Sequence, residues 1–217
     1  MRPKLKMMLN PVIIFGAKGL AKAAYDIYKS NGIEVFAFLD ENEELHNQQI
    51  GEASVLGSPD DDGFLKYIGK KCDAFVAIED PKYRAETIKM LLERRKVMPT
   101  NALHKNISIP DNLEIGHGNF VNAGVVLGEG SKLGNHIIIN SGCTIDYDCS
   151  IGDYVQLGAG TVIGAGATIE ANVLIGTGSV VLPGVKIGKG AQVGPGSVVI
   201  SNVKAKEVVY GNPAKVV

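Results

Sequence analysis

The sequence predicts two domains of different fold class, a small parallel α/β domain over residues 1–100 and a parallel β-helix over residues 101–217. In the first part, short apolar runs alternate with amphipathic helical segments, a pattern typical of a parallel sheet covered by helices. In the second part, a bulky aliphatic residue recurs at every sixth position, which indicates hexapeptide repeats. Most of the 27 glycines lie in this second part, where a repeat needs many tight turns.

Composition restricts the class of protein. Hydrophobic residues make up 45% of the 217 residues and charged residues 21%, as in ordinary globular proteins. The net charge of −1 and the lack of a basic block argue against nucleic acid or an anionic membrane as partner. Cys72, Cys143 and Cys149 are an odd, sparse set that fits a reducing compartment. The first apolar run, "PVIIFG", is too short for a signal peptide or a membrane span, so we expect a cytoplasmic protein.

The first hundred residues contain three strand–helix units. Val12 to Phe15 form a buried strand, and the helix after the "GAKG" turn ends at Asn31-Gly32. The apolar face of that helix has regular helical spacing and consists of Leu20, Ala23, Ala24, Ile27 and Tyr28. "EVFAFLD" is a second strand, "SPDDDGFLKYIGKK" a short helix, and "CDAFVAIEDPKYRAETIKMLLERRK" a third strand and helix. The alternation predicts a small Rossmann-like sheet.

Ligands of such sheets bind beyond the carboxyl ends of the strands, here residues 16–19, 40–41 and 79–80. The "GAKG" turn could hold a phosphate on its backbone N–H groups. Asp40 follows Gly16 by 24 residues, near the place of a ribose- or base-binding acid. The third glycine of the dinucleotide fingerprint is missing, so the spacing fits a simple tight βα turn equally well.

The second part is one long repeat of sixteen aliphatic positions: Ile109, Ile115, Val121, Leu127, Leu133, Ile139, Ile145, Ile151, Leu157, Ile163, Ile169, Ile175, Val181, Ile187, Val193 and Val199. Three hexads close a triangular coil of 18 residues, so the repeat gives just over five coils stacked about 4.8 Å apart. The smaller residue two positions before each aliphatic is also expected to point inward. Cys143 and Cys149 hold such positions, and we expect them to be inert core residues.

Several segments resemble the bacterial NeuD-type sugar O-acyltransferases, which include sialic acid O-acetyltransferases and N-acetyltransferases of nucleotide-linked 4-amino sugars. These segments are "IIFGAKGLAKAAYDI", "FAFLDEN", "FVAIEDPKYRAETI", "IINSGCTIDYDCSIGDY" and "GNPAKVV", in the order seen in the family. The resemblance covers nearly the whole chain. It implies that the β-helix is left-handed, although parallel crossovers are usually right-handed.

The resemblance also implies a homotrimer with acetyl-CoA in the groove between neighbouring β-helices, no metal, and a role in bacterial surface-glycan biosynthesis. The implied acetyl-CoA contacts are Gln156, Gly158, Ala165, Thr177 and Pro195. The implied contacts to the nucleotide of the sugar substrate are Gly16, Lys18, Gly19, Leu20, Ala21, Asp40, Glu41 and Glu79. The implied catalytic residues are Tyr147, Asp148 and Asn140.

The chain departs from the family pattern at chemically important positions. Tyr147 stands where the family has its general-base histidine, and Gln156 where a second histidine contacts acetyl-CoA. Leu20-Ala21 replaces a His-Gly pair in the nucleotide turn. Glu79 replaces a glycine, and its carboxylate would repel a diphosphate unless the side chain turns away.

Acyl transfer to an amine needs a proton acceptor, and a tyrosine with a reference pKa of about 10 is a poor base at pH 7. Asp148 could substitute if burial raised its pKa, and so could His136, which we expect at a solvent-exposed corner. A partly deprotonated amine can react without a base when it is well positioned, whereas a hydroxyl is much less able to do so. We therefore predict acetyl transfer to the amino group of a nucleotide-linked amino sugar.

Other functions stay open. A catalytically impaired relative that binds sugar nucleotide or CoA would explain why Tyr147, Gln156 and Glu79 differ together, and a sugar O-acetyltransferase is a further alternative. A metal-dependent β-helix enzyme of the γ-carbonic anhydrase kind is disfavoured. The histidines in or near the coils lack the spacing of a three-histidine zinc site.

Overall fold

The computed structural model describes residues 10–217, which divide into two compact units between Pro99 and Thr100. The first nine residues of the predicted α/β domain lie outside the described residues. The structure therefore does not bear on the signal-peptide prediction for those nine residues. Across residues 10–217, none of the helices combines the length and the apolar character that a membrane crossing requires.

The first unit is a five-stranded sheet with helices. Its elements are β1 (Val12–Phe15), α1 (Gly19–Ser30), β2 (Val35–Leu39), a 3₁₀ turn (Glu43–Leu45), β3 (Gln49–Ile50), β4 (Ala53–Gly57), α2 (Asp62–Leu65), β5 (Asp73–Val76) and α3 (Pro81–Arg95). The strand order is β3-β4-β2-β1-β5, with β3 antiparallel to β4 and the other pairs parallel. The three predicted strand–helix units are present. The β3–β4 hairpin is an addition, because β3 has only two residues and the exposed Leu56 obscures the apolar–polar alternation of β4.

The central strand of this sheet sets the position of the candidate ligand pocket. Strand β1 is fully buried and lies between β2 and β5, so the chain crosses from one side of β1 to the other. A crevice therefore opens where β1 and β5 end, which is the usual ligand position in such sheets. Helix α3 begins at this edge because Pro81 suits a first turn and Asp80 Oδ1 accepts a hydrogen bond from Tyr83 N at 2.7 Å.

The second unit is a left-handed parallel β-helix with three faces. Face one contains β6 (Ala102–Leu103), β8 (Phe120–Val121), β11 (Ile138–Ile139), β14 (Gln156–Leu157), β17 (Leu174–Ile175), β20 (Gln192–Val193), β22 (Val208–Tyr210) and the antiparallel β23 (Lys215–Val216). Face two contains β9 (Val126–Leu127), β12 (Thr144–Ile145), β15 (Val162–Ile163), β18 (Val180–Val181) and β21 (Val198–Val199). Face three contains β7 (Glu114–Ile115), β10 (Lys132–Leu133), β13 (Ser150–Ile151), β16 (Thr168–Ile169) and β19 (Lys186–Ile187).

Turns between the faces form three edges that run along the β-helix. The first edge joins faces one and two and includes residues 140–143, 158–161, 176–179 and 194–197. The second edge joins faces two and three and includes residues 128–131, 146–149 and 164–167. The third edge joins faces three and one and includes residues 134–137 and 152–155. Paired strands lie 18 residues apart, as Lys132 with Ser150 and Thr144 with Val162, so each outward position repeats in every coil.

The sixteen aliphatic positions form the β-helix core with two exceptions. Fourteen are buried, Ile115 is half-buried, and Ile109 is 44% exposed. The prediction was therefore wrong for Ile109, and Ile107 packs against the core in the first coil instead. Ile109 precedes Pro110 in this terminal coil, where no earlier coil of the repeat lies beneath it.

Cys143 and Cys149 are core residues, as expected. Both are buried, and their thiols donate hydrogen bonds to the carbonyl oxygens of Gly158 at 3.1 Å and Gly164 at 3.3 Å. Ser179 makes the equivalent bond to Gly194 O at 2.9 Å. Burial raises the pKa of both thiols, so these cysteines are poor nucleophiles.

Two isoleucine-to-alanine variants compare a core position with the exposed exception. We expect Ile145→Ala to lower the free energy of unfolding by about 2–5 kcal/mol, because Ile145 is fully buried and the deletion leaves a cavity. Ile109→Ala, with the same chemical change, should cost less than ~1 kcal/mol. Denaturant unfolding measures both values. Equal losses at the two positions would contradict the assignment of Ile109 to the surface.

Candidate active site

The α/β unit has a pocket of about 250 Å³ at the carboxyl ends of β1, β2 and β5. It is lined by Gly16, Ala17, Lys18, Leu20, Asp40, Ala77, Ile78, Glu79, Asp80 and Tyr83. The structure therefore brings together five implied nucleotide contacts from three separate loops. Gly19 and Glu41 lie outside this lining. Ala21 also lies outside it, and its side chain is fully buried on the core side of α1.

The glycine turn after β1 has a shape that only glycine permits. Gly16 has φ +97°, and a Cβ atom there would lie 2.7 Å from the carbonyl oxygen of Ala77. Strands β1 and β5 can therefore approach closely at the floor of the pocket. Helix α1 begins directly after the turn, and the side chain of Lys18 at its N-cap position accepts no capping hydrogen bond.

Asp40 joins the ends of β1 and β2. Its Oδ2 accepts a hydrogen bond from Ala17 N at 2.8 Å, and its Oδ1 accepts one from Asn42 N at 2.9 Å. The ring nitrogen Nε2 of His46 lies 2.8 Å from the Asp40 carbonyl oxygen. These contacts fix the carboxylate at the wall of the pocket, and each oxygen keeps acceptor capacity for a ligand.

Glu79 lies beside the first turn of α1. A Cβ atom on Gly19 would be 3.2 Å from Glu79 Oε1, so the carboxylate occupies the space next to the helix N-terminus. Arg84 is buried beneath this loop, and its Nη1 donates to the carbonyl oxygens of Ile78 at 3.0 Å and Glu79 at 3.4 Å. The backbone that carries Glu79 is thereby held by a buried cation.

Sequence reasoning missed Tyr83 as a pocket residue. Burial, followed by a hydrogen bond with the Glu41 side chain, raises the pKa of Tyr83 well above its usual value. Its phenol therefore stays neutral and can offer a hydroxyl in the pocket. The signal was available, because Tyr83 lies in the first turn of α3 and that helix starts at the same end of the sheet.

Tyr147 and Asp148 lie on the second edge of the β-helix. Tyr147 is 56% exposed. Asp148 has φ +56°, a left-handed conformation taken by Gly130, Gly166 and Gly184 at the equivalent turns of other coils. Ala165, an implied acetyl-CoA contact, occupies the place of Tyr147 one coil further on.

The side chains of Tyr147 and Asp148 form no hydrogen bond with each other. The carboxylate of Asp148 folds against Gly130 in the preceding coil. Among residues 10–217, neither the Tyr147 hydroxyl nor the Asp148 carboxylate has a side-chain hydrogen bond. Within these residues, Tyr147 therefore has no partner that would help it to accept a proton.

The remaining implied residues lie along the first edge. Asn140 Nδ2 donates to Leu157 O at 2.9 Å, which holds its amide against the next coil. Gly158, Thr177 and Pro195 follow at equivalent turns, and a Cβ atom on Gly158 would clash with the backbone of Thr177. Gln156 is half-buried on face one, just before this edge. A single chain therefore divides the predicted site between two edges.

His136 does not lie at a solvent-exposed corner, and that expectation was wrong. It is buried at the third edge, where its ring packs at a tilt against the Tyr154 ring with centroids 5.1 Å apart. The Tyr154 ring, one coil further on, covers it. Over the part of the chain that the structure describes, no group of three histidine, cysteine or carboxylate side chains could hold a metal.

Two family matches cover different parts of the chain. Residues 11–91 match the PglD N-terminal domain, and residues 166–201 match the bacterial transferase hexapeptide repeats. A search of curated proteins found no match.

Solved structures match nearly the full length. PerB from Caulobacter crescentus, solved in complex with CoA and GDP-perosamine, is 28% identical with a TM-score of 0.87, covering 96% of this chain and 98% of that one. Mutants of that N-acetyltransferase with one histidine replaced were also solved with both ligands. The acetyltransferase domain of PglB from Neisseria gonorrhoeae is 22% identical with a TM-score of 0.87, covering 96% and 100%, and shares the fold. That domain was also solved with acetyl coenzyme A.

These similarities agree with the two units of the structure. The first match lies within the α/β unit, and the second lies within the coils of the β-helix. The chain is therefore similar to proteins of the NeuD/PglD type, among which the solved neighbour PerB is a sugar N-acetyltransferase.

Proposed function

We propose that this protein is an acetyl-CoA-dependent N-acetyltransferase that acts on the amino group of a nucleotide-linked amino sugar. The observation that carries the proposal is the split site, with Tyr147 and Asp148 on one edge and Asn140 on another. Such a site becomes complete when two chains meet. The likeness to PerB, which binds CoA and GDP-perosamine, supports both substrate classes.

The outer surfaces of the β-helix support a homotrimer. Face two presents apolar residues such as Val126 and Val162, which are 43% and 38% exposed in the single chain. Face three instead presents ion pairs, including Lys132 with Glu114 at 2.9 Å. If face two is buried between chains, the second edge of one chain lies against the first edge of its neighbour. Such a contact between two different edges can close into a ring. Acetyl-CoA would then lie along Gln156, Gly158, Thr177 and Pro195 of one chain and Ala165 of the next.

The α/β unit would hold the nucleotide in the pocket beside Asp40, and the β-helix would carry out the transfer. The sugar amine attacks the thioester carbonyl, a C–N bond forms and the C–S bond breaks. One proton leaves the nitrogen and reaches the departing thiolate, which gives an amide and free CoA. Because Tyr147 is a weak acceptor at neutral pH, we propose that the amine arrives already deprotonated. Backbone N–H groups of the turns would stabilise the oxyanion.

A binding protein without turnover is the second candidate. The exposed, unsupported side chains of Tyr147 and Asp148 favour it. It predicts that acetyl-CoA and sugar nucleotide bind at the same positions but that no acetyl group is transferred.

The direct test supplies acetyl-CoA with nucleotide-linked 4-amino sugars and, as the matched control, with the 4-hydroxy sugars. We expect release of CoA thiol and an N-acetylated product from the amino sugars alone. Mass spectrometry identifies the product. O-acetylation without N-acetylation would overturn the proposal, and tight binding of both substrates without product would favour the binding protein.

Two substitutions at Tyr147 test whether its hydroxyl takes part. Tyr147→His should raise kcat by about 10²–10⁴-fold, since it restores a general base at an interfacial position. Tyr147→Phe should leave kcat within about threefold, because the phenol is not the proton acceptor. Steady-state measurement of kcat for the native protein and both variants shows whether the tyrosine hydroxyl contributes to the reaction. A large loss in Tyr147→Phe would show that the phenol has its own catalytic role.

The pH dependence follows from the same mechanism. If the substrate supplies its own free amine, log(kcat/KM) should rise by one unit per pH unit until the pH passes the pKa of that amine. In Tyr147→His, an imidazole with a pKa near 6.5 should move the rise to lower pH. Rate profiles for two amino sugars with different amine pKa values provide the check. Identical profiles for both sugars would contradict substrate assistance.

A further inference from the structure

The pocket of the α/β unit is acidic at the place where a nucleotide would bind. Three of its lining residues, Asp40, Glu79 and Asp80, carry carboxylates, and Lys18 is the one basic lining residue within the described chain. Asp80 caps the N-terminus of α3. Asp40 accepts backbone hydrogen bonds from Ala17 and Asn42 and so connects two loops. Glu79 is the acid whose position beside Gly19 brings it to the start of α1.

A diphosphate is a poor occupant of this position. The start of a helix normally attracts a phosphate through its N–H groups. Here the carboxylate of Glu79 already occupies the space beside those groups, and its charge repels a second anion. The pocket is also small, about 250 Å³ against the ~300–1,000 Å³ of sites that enclose whole ligands. It therefore suits the uncharged base of the nucleotide better than the diphosphate.

The hydrogen-bonding capacity of the pocket distinguishes between bases. A carboxylate has two acceptor oxygens and no donor. Guanine presents two neighbouring N–H donors, from N1 and N2, which match the two oxygens of one carboxylate. Uracil and thymine present one N–H between two carbonyl oxygens, and those oxygens would face the carboxylate in repulsion.

We propose that Glu79 is a specificity-determining residue that selects a guanine nucleotide as the carrier of the sugar. This rests on the proposed function, since it names the nucleotide of that substrate. The carboxylate accepts hydrogen bonds from guanine N1–H and N2–H, while Asp40 and the glycine turn hold the pocket in shape. Ala77 and Ile78 provide apolar surface against the ring.

Titration calorimetry with GDP, UDP and dTDP on the full-length protein tests the proposal. We expect GDP to bind at least tenfold more tightly than UDP or dTDP. Glu79→Gln should reduce that ratio to below about threefold, because an amide offers one acceptor and one donor in place of two acceptors. Removing a negative charge strengthens binding of every diphosphate alike, so the ratio is the informative quantity.

Glu86→Gln is the matched control, since Glu86 is exposed on α3 and lies outside the pocket lining. It should leave the ratio unchanged. Equal binding of GDP and UDP to the native protein, or an unchanged ratio in Glu79→Gln, would overturn the role of Glu79. Either result leaves the transferase proposal standing. If no nucleotide binds while acetyl-CoA does, the nucleotide part of the proposed function fails as well.

Discussion

The 18-residue coil is the constraint on which the β-helix and its candidate site depend. Each residue stacks on the residue 18 positions later, so its edge and its distance along the axis follow from its number. Tyr147 and Asn140 are close in sequence, yet the coil places them on different edges. No local rearrangement of side chains changes this, because the backbone ladder fixes each turn. The division of the candidate site between two edges is thus a consequence of the repeat itself.

Much of the fold could be predicted from the sequence because it depends on strict periodicities. The six-residue spacing identified the inward aliphatics and the two core cysteines, and strand–helix alternation identified the parallel sheet. Errors occurred where the local environment overrides the period. Ile109 keeps the spacing but lies in the terminal coil. In the β3–β4 hairpin, β3 has only two residues, and the exposed Leu56 obscures the alternation of β4.

The candidate site was only partly predictable. Loop positions at strand ends identified Gly16, Asp40 and Glu79 as neighbours, since parallel strands end at one edge of a sheet. The sequence does not show which side chains of a helix face the pocket. Ala21 was therefore included among the nucleotide contacts although its side chain faces the core, and Tyr83 was missed. Likewise, burial of His136 depends on the ring one coil further on, which spacing alone does not reveal.

The inward hydrogen bonds have a consequence for how such a chain can change in length. Cys143, Ser179 and their equivalents donate to a carbonyl in the following coil, which joins successive coils at fixed positions. Loss of 18 residues would remove one coil and return every later side chain to its own edge. Loss of six would leave the inward pattern intact but turn all later residues onto the next face. An outward-facing edge can therefore be shortened or extended only in whole coils, whereas the core alone would tolerate a change of one hexad.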